Sequence, residues 1–177
     1  MYTPGEPAGP ADSDGLAELL DRQHIVLDLN MPGLALESLE LRSKAFSGCN
    51  FASVNLQGAT IVDCVFELCF FPFSVIEDAV FTNATLKNCV FGASRICRTH
   101  FTGSTIVQCN YNGVYAAGLT FDDCDLLHTR FNAATLRPAR FENCNLKETR
   151  FVRTDVREVT FLYSNQEDAI FGVEDEW

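Results

Sequence analysis

Long apolar runs are absent from this chain. No stretch of 18 or more apolar residues occurs, so no membrane-spanning helix and no membrane partner are expected. The opening MYTPGEPAGPADSDG has neither a basic start nor an apolar stretch, which argues against a secretion signal and points to the cytoplasm. Basic residues are also few: 13 Lys and Arg face 24 Asp and Glu, a net charge of -11. Direct nucleic-acid binding is therefore not expected, because phosphate affinity is carried by Lys and Arg. The only histidines, His24, His100 and His128, are scattered, and the eight cysteines have no C-x-x-C pairing, so no metal or other cofactor is expected. G-x-S-x-G, Walker and G-x-G-x-x-G motifs are missing too. An enzyme is not expected.

What the chain does have is a period of five. From Leu36 to Phe171 every fifth residue is apolar except Gln166, and 13 of the 15 phenylalanines fall in that register. Two residues before each of these centres the side chain is mostly small, and seven of the eight cysteines sit there. Five matches neither the 3.6 of a helix nor the 2 of a flat strand, so the chain must turn a corner in every repeat, with one large and one small residue pointing inward. A second order appears at spacing 20. Phe51, Phe71, Phe91, Tyr111, Phe131 and Phe151 line up with Phe171 in one ladder, and Phe81, Phe101, Phe121 and Phe141 with Phe161 in another. Leu, Ile and Val fill the remaining columns, as in Leu56, Ile76, Ile96, and in Leu86, Ile106, Leu126. Four corners per coil explain both periods.

Segments such as Cys49-Asn50-Phe51, Cys124-Asp125-Leu126 and Cys144-Asn145-Leu146 resemble the repeat of the pentapeptide-repeat family, A/C/S-D/N-L/F-x-x, over residues 36–171. The resemblance implies an all-β, right-handed quadrilateral parallel β-helix of about seven coils. At the usual strand spacing of about 4.8 Å such a rod is ~34 Å long. Stacked thiols at Cys49, Cys69, Cys89 and Cys109, without nearby histidine, read as small core residues. Cys97 is out of register and is expected to be the exposed thiol.

The repeats set the organisation: a disordered lead over 1–12, a capping helix and lead-in strand over 13–35, the β-helix over 36–171 and a tail over 172–177. Ser13 or Asp14 is expected to cap a helix running to about Arg22, with Leu16, Leu19 and Leu20 on one face, before a strand at 25–29. The C-terminal coil has no comparable cover. Pentapeptide-repeat proteins of the Qnr and MfpA type dimerise through that end, so the resemblance implies a homodimer through Phe161, Phe171, Val173 and Trp177; the alternative is Trp177 folded back as a plug.

Charge is uneven along the rod. Residues 1–80 and 158–177 are acidic, whereas 130–157 hold seven bases and three acids. Asp122 stacks with Glu142, with Asp123 and Asp125 expected on the same edge; Arg130 stacks with Arg150, and Arg137 with Arg157. Like charges one rung apart are unfavourable unless something offsets them. The two clusters are therefore candidate contact sites, unless Glu148, Asp155 and Glu158 already neutralise the arginines. A third candidate is apolar: Val65, Phe70, Val75, Val80 and Val90 precede centres and should face outward, with Phe73 at a nearby corner.

Qnr and MfpA-like members are acidic rods that engage DNA gyrase and protect it from poisons. The resemblance thus implies a protein partner of the DNA gyrase or topoisomerase IV kind, met by DNA mimicry. This chain departs from them in its basic band and in having no projecting loop, which bears on poison removal more than on binding. The alternative is a scaffold or effector module that presents a flat face to an unrelated protein.

Overall fold

The computed structural model describes residues 12–172. They form a four-sided parallel solenoid of stacked coils with one helix over its N-terminal end. Each coil is 20 residues long, and the backbone pairing shows why: the Phe51 N–H donates to the Phe70 carbonyl (2.7 Å), while the Asn50 N–H donates to the Leu29 carbonyl (2.8 Å). Rung pairs such as Phe81 with Phe101 and Phe121 with Phe141 keep this step of 20 without slippage. A slip of one residue would turn every core side chain outward.

Four columns of centres define the sides. Side 1 carries Phe46, Phe66, Leu86 and Ile106; side 2, Phe51, Phe71, Phe91 and Tyr111; side 3, Leu56, Ile76, Ile96 and Leu136; side 4, Ile61, Phe81, Phe101 and Phe121. All of these are buried. On side 2 the rings stack face to face from Phe51 to Phe171 at 4.6 to 5.3 Å between centroids. Side 4 repeats this from Phe81 to Phe161. The two ladders meet edge-on inside, as where Phe141 lies 5.5 Å from Phe151 at 87°. Parallel stacking along the rod and edge contacts across it are both favourable ring geometries.

The small position does more than save space. Its thiol or hydroxyl donates to a carbonyl of the previous coil: Cys89 to Phe66 (3.3 Å), Ser94 to Phe71 (2.7 Å), Thr129 to Ile106 (2.6 Å) and Thr149 to Leu126 (2.9 Å). All eight cysteines are free and buried. Burial, the main cause, raises the Cys64 pKa above that of an ordinary thiol, as befits a packing residue.

Most corners are turned two residues after a centre, where the backbone takes positive φ: Asp63 at 53°, Asn83 at 50°, Asn143 at 52°. Asp and Asn tolerate that region because their short side chains bond locally.

The helix α1, Ser13–Arg22, buries Leu16 and Leu20, with Leu19 half-buried beside the core. Leu16 closes the open end over Leu36, Leu41 and Phe46, leaving a space of only about 10 Å³ among them. The cap differs from expectation: Asp12 is the N-cap, accepting from the Gly15 N–H at 2.8 Å, and Ser13 and Asp14 are already inside the helix. Stacking also starts early, with Ile25–Leu27 pairing with Ala45–Ser47 and Val26 and Met31 buried in the same period-five register. At the far end Gln166, the break in the pattern, begins a 3-10 turn over Gln166–Asp168. No helix among the described residues is long and apolar enough to cross a membrane.

Candidate functional site

The outer surface offers four places where side chains gather. The acidic one is a depression of about 390 Å³ lined by Asp122, Asp123, Glu142, Asn143 and Tyr163. Asp122 and Glu142 are rung partners. Their mutual repulsion is relieved by Arg140, whose guanidinium lies 2.9 Å from Asp122 Oδ1 and also bonds Glu142. Asp123, at positive φ on the corner, accepts a hydrogen bond from Asn143. Asp125 does not join this edge, contrary to expectation. Cys124 turns inward between them, and Asp125 comes out on side 1, where its Oδ1 accepts from Asn145 Nδ2 (2.8 Å) and from the Leu127 N–H (3.1 Å).

The basic band splits in two. Arg137 and Arg157 converge on Asp155; Arg157 Nη2 is 2.6 Å from Asp155 Oδ2. Hydrogen bonds from the Arg157 side chain, then from its backbone N–H, hold the Asp155 carboxyl well below the usual carboxylate range. That pair of arginines shares one carboxylate, which offsets half of its charge within the fold. Arg130 and Arg150 stand on adjacent rungs of side 2. They line an open depression of about 410 Å³ with Asn88, Gln108, His128, Glu148 and Ile170. Glu148 does not serve Arg130 here: its Oε2 lies 3.1 Å from His128 Nδ1.

Sequence reasoning missed Arg140 as the bridge of the acidic pair. The signal was available as spacing 18, which joins a residue before one centre to a residue after the centre of the preceding coil. Arg140 to Asp122, Arg95 to Glu77 and Asn55 to Glu37 all obey it. These are diagonal cross-strand neighbours.

The apolar place wraps one coil. Phe70 is 47% exposed and Phe73 69%, joined by Leu68 and Val65, with Val90 on the rung beside Phe70. Leu68 was overlooked; it occupies a corner at φ 54°, as Phe73 does at 58°. Val80 lies round the rod on side 4 and Val75 is half-buried on side 3, so neither belongs to this cuff. Cys97 is a further correction: it is 2% exposed, not the accessible thiol. Its Sγ lies 4.0 Å from the Tyr115 carbonyl of the next coil, and Arg95 lies over the Tyr115 ring at 5.3 Å.

The fourth place is the last coil. Its outer edge has no further rung among the described residues, Phe161 is half-buried and Phe171 is 42% exposed. Val173 and Trp177 lie outside the described residues. Among the described residues no group of His, Cys, Asp and Glu is placed to hold a metal.

Residues 94–171 match the family model of the pentapeptide repeat region. The coils ahead of that match continue the same step of 20 and the same corners. The solenoid has the fold of a pentapeptide-repeat β-helix. A trypsin-treated variant of QnrB1, a plasmid-mediated fluoroquinolone resistance protein, is similar to it with a TM-score of 0.51 and 12% identity, over 77% of this chain and 91% of that one. The pentapeptide-repeat protein Rfr23 from the cyanobacterium Cyanothece 51142 is 11% identical over 88% of this chain and 96% of that one, with a TM-score of 0.37. A search of curated proteins finds no match.

Proposed function

We propose that the protein is a non-enzymatic binding rod that engages DNA gyrase or topoisomerase IV as a DNA mimic, as a homodimer through its C-terminal coils. The observation that carries this reading is a net charge of -11 on a narrow, straight-sided rod, with acids concentrated toward both ends. Such a surface suits a basic groove that normally holds duplex DNA. The likeness to a fluoroquinolone resistance protein supports it at the level of fold. Asp122, Asp123 and Glu142 are the contact candidates, with Asp125 a separate carboxylate on the next side.

The test is gyrase supercoiling with and without a fluoroquinolone while the protein is titrated. Inhibition of supercoiling or relief of the drug, weakened in D122K/D123K, is the expected result. No change at micromolar protein would reject a topoisomerase partner.

A second reading, a scaffold docking an unrelated protein through the apolar cuff, is favoured by one specific observation. Leu68 and Phe73 place large apolar side chains in the left-handed region and in solvent, where both choices cost free energy. For that reading F70S/F73N abolishes partner binding and leaves the effect on gyrase, if any, unchanged.

A further inference from the structure

The apolar cuff does not end at the corner of side 1. On the first coil Ile25 and Leu27 are 62% and 61% exposed, and Ile25 pairs by rung with Ala45, which pairs with Val65. Leu68 stands on the corner beside Val65. One rung further the outward positions turn polar, at Thr85 and Lys87. An apolar strip three rungs long, about 10 Å at strand spacing, thus runs along the rod. Carboxylates border it. Asp28 lies on the corner column that leads through Gly48 to Leu68, Asp63 lies at the opposite corner, and Glu67 is on the face itself. Asp63 accepts from the neutral Asn83 amide at 3.2 Å, and Lys87 Nζ comes only to 3.9 Å from Glu67 Oε1. No basic side chain pairs with Asp28 or Asp63 among the described residues.

From this arrangement we infer that the strip on side 1 seats an amphipathic α-helix of a protein partner, with an apolar face of about two turns flanked by Lys or Arg. The backbone selects the helix. The N–H groups of Ala45, Val65 and Leu68 donate to His24, Lys44 and Lys87 carbonyls of the neighbouring coils, so the hydrogen bonds of this face are spent along the rod. A strand laid on it would find no ladder to join, whereas a helix satisfies its own backbone and brings only side chains. Two helical turns rise about 11 Å, which matches the strip. The basic flanks follow from charge. Asp28 and Asp63 stand on the two long edges, in a half of the chain where residues 1–80 hold 12 acids against 3 bases. The inference rests on the scaffold reading and extends its site from side 2 on to side 1.

The probe is a synthetic peptide of about 18 residues, long enough to be helical, with leucines at i, i+3, i+4 and i+7 and lysines beside them. Its binding to the full chain is read by fluorescence anisotropy. The expected result is saturable one-to-one binding, at least about tenfold weaker for a scrambled peptide and for one with glutamate in place of lysine. L27S/L68N should weaken it about tenfold, and D28N/D63N should weaken it and flatten its dependence on salt. Leu27 is exposed and asparagine tolerates the positive φ of Leu68, so the first variant is expected to fold; the two control peptides keep the test decisive if it does not. No binding to the wild-type chain, equal binding of the scrambled peptide, or unchanged affinity in folded L27S/L68N would overturn the helix seat. Binding lost in F70S/F73N but kept in L27S/L68N would overturn it while leaving the scaffold reading with its cuff. A mass in light scattering that halves in L27S/L68N would overturn it too, by giving the strip to a second copy of the chain.

Discussion

At the scale of single residues, the sharpest departure from a smooth core is Tyr111. It replaces a phenylalanine in the side 2 ladder, is fully buried, and its hydroxyl has no hydrogen-bond partner among the described residues. Burial pushes its pKa well above that of an ordinary tyrosine. A buried hydroxyl without a partner costs about 1–3 kcal/mol, while the ring itself keeps its stacking between Phe91 and Phe131. Tyr111→Phe is therefore expected to raise the unfolding free energy by ~1 kcal/mol in denaturant melts; a loss of that size would mean the hydroxyl is bonded after all. Asp155 gives a residue-scale prediction of a different kind. Its folded pKa is depressed, first by Arg157, so the folded state binds fewer protons there than the unfolded chain. Its contribution is present above the unfolded carboxylate value of about 3.9 and is lost as pH falls through the lower folded value. In a carboxyl-carbon NMR titration, Arg157→Gln should move the Asp155 midpoint upward toward that unfolded value.

At the scale of the repeat, each rung pairs an inward anchor with an outward neighbour, and the two should answer mutation differently. Phe131 is completely buried between Tyr111 and Phe151, whereas Arg130, one residue earlier, is exposed. Phe131→Ala is expected to cost about 3–5 kcal/mol, and Arg130→Ala less than about 0.5 kcal/mol. Equal losses in denaturant melts would invert the assignment of inside and outside. This anchor pattern was legible in the sequence because the solenoid repeats one environment every five residues and one neighbour every 20, so Phe51, Phe81 and Phe131 declare their places by spacing alone. The charged surface was less legible. Arg140 reaches Asp122 along the diagonal and Glu142 two residues on in its own strand, contacts that spacing 20 does not disclose. Asp125 and Cys97 failed for another reason: Asp125 lies past the inward-turning Cys124 and so on the next side, Cys97 lies under the Tyr115 carbonyl of the next coil, and a repeat assigned only by its centres does not fix what lies over positions between them. The donor role of Cys89 and Thr129 was hidden because small size and hydrogen bonding select the same residue types.

At the scale of the whole molecule, the two ends of the rod are not equivalent. A solenoid buries its core only between neighbouring coils, so each end leaves an apolar layer and a row of backbone groups to be covered. Helix α1 does this at the N-terminal end by placing Leu16 over Leu36, Leu41 and Phe46. The C-terminal end shows the reverse: Leu162, Ile170 and Phe171 are all exposed on the last coil. Residues 150–152 and 159–162 have rung partners on their inner side, at 130 and 139–142, while the strand at 170–172 pairs, among the described residues, with 150–152 alone. A second copy meeting this end through its own Phe161 and Phe171 would bury both rims at once, a self-complementary contact of the kind a two-fold axis requires. Light scattering on the eluting protein should then give twice the mass of the 177-residue chain. Phe171→Glu puts a charge into the middle of that contact but lies outside the buried core of the monomer, so it should halve the mass with little loss of helical-cap or β-sheet signal. A wild-type protein that elutes as a monomer at tens of micromolar, or a Phe171→Glu variant that remains paired, would rule out association through the last coil.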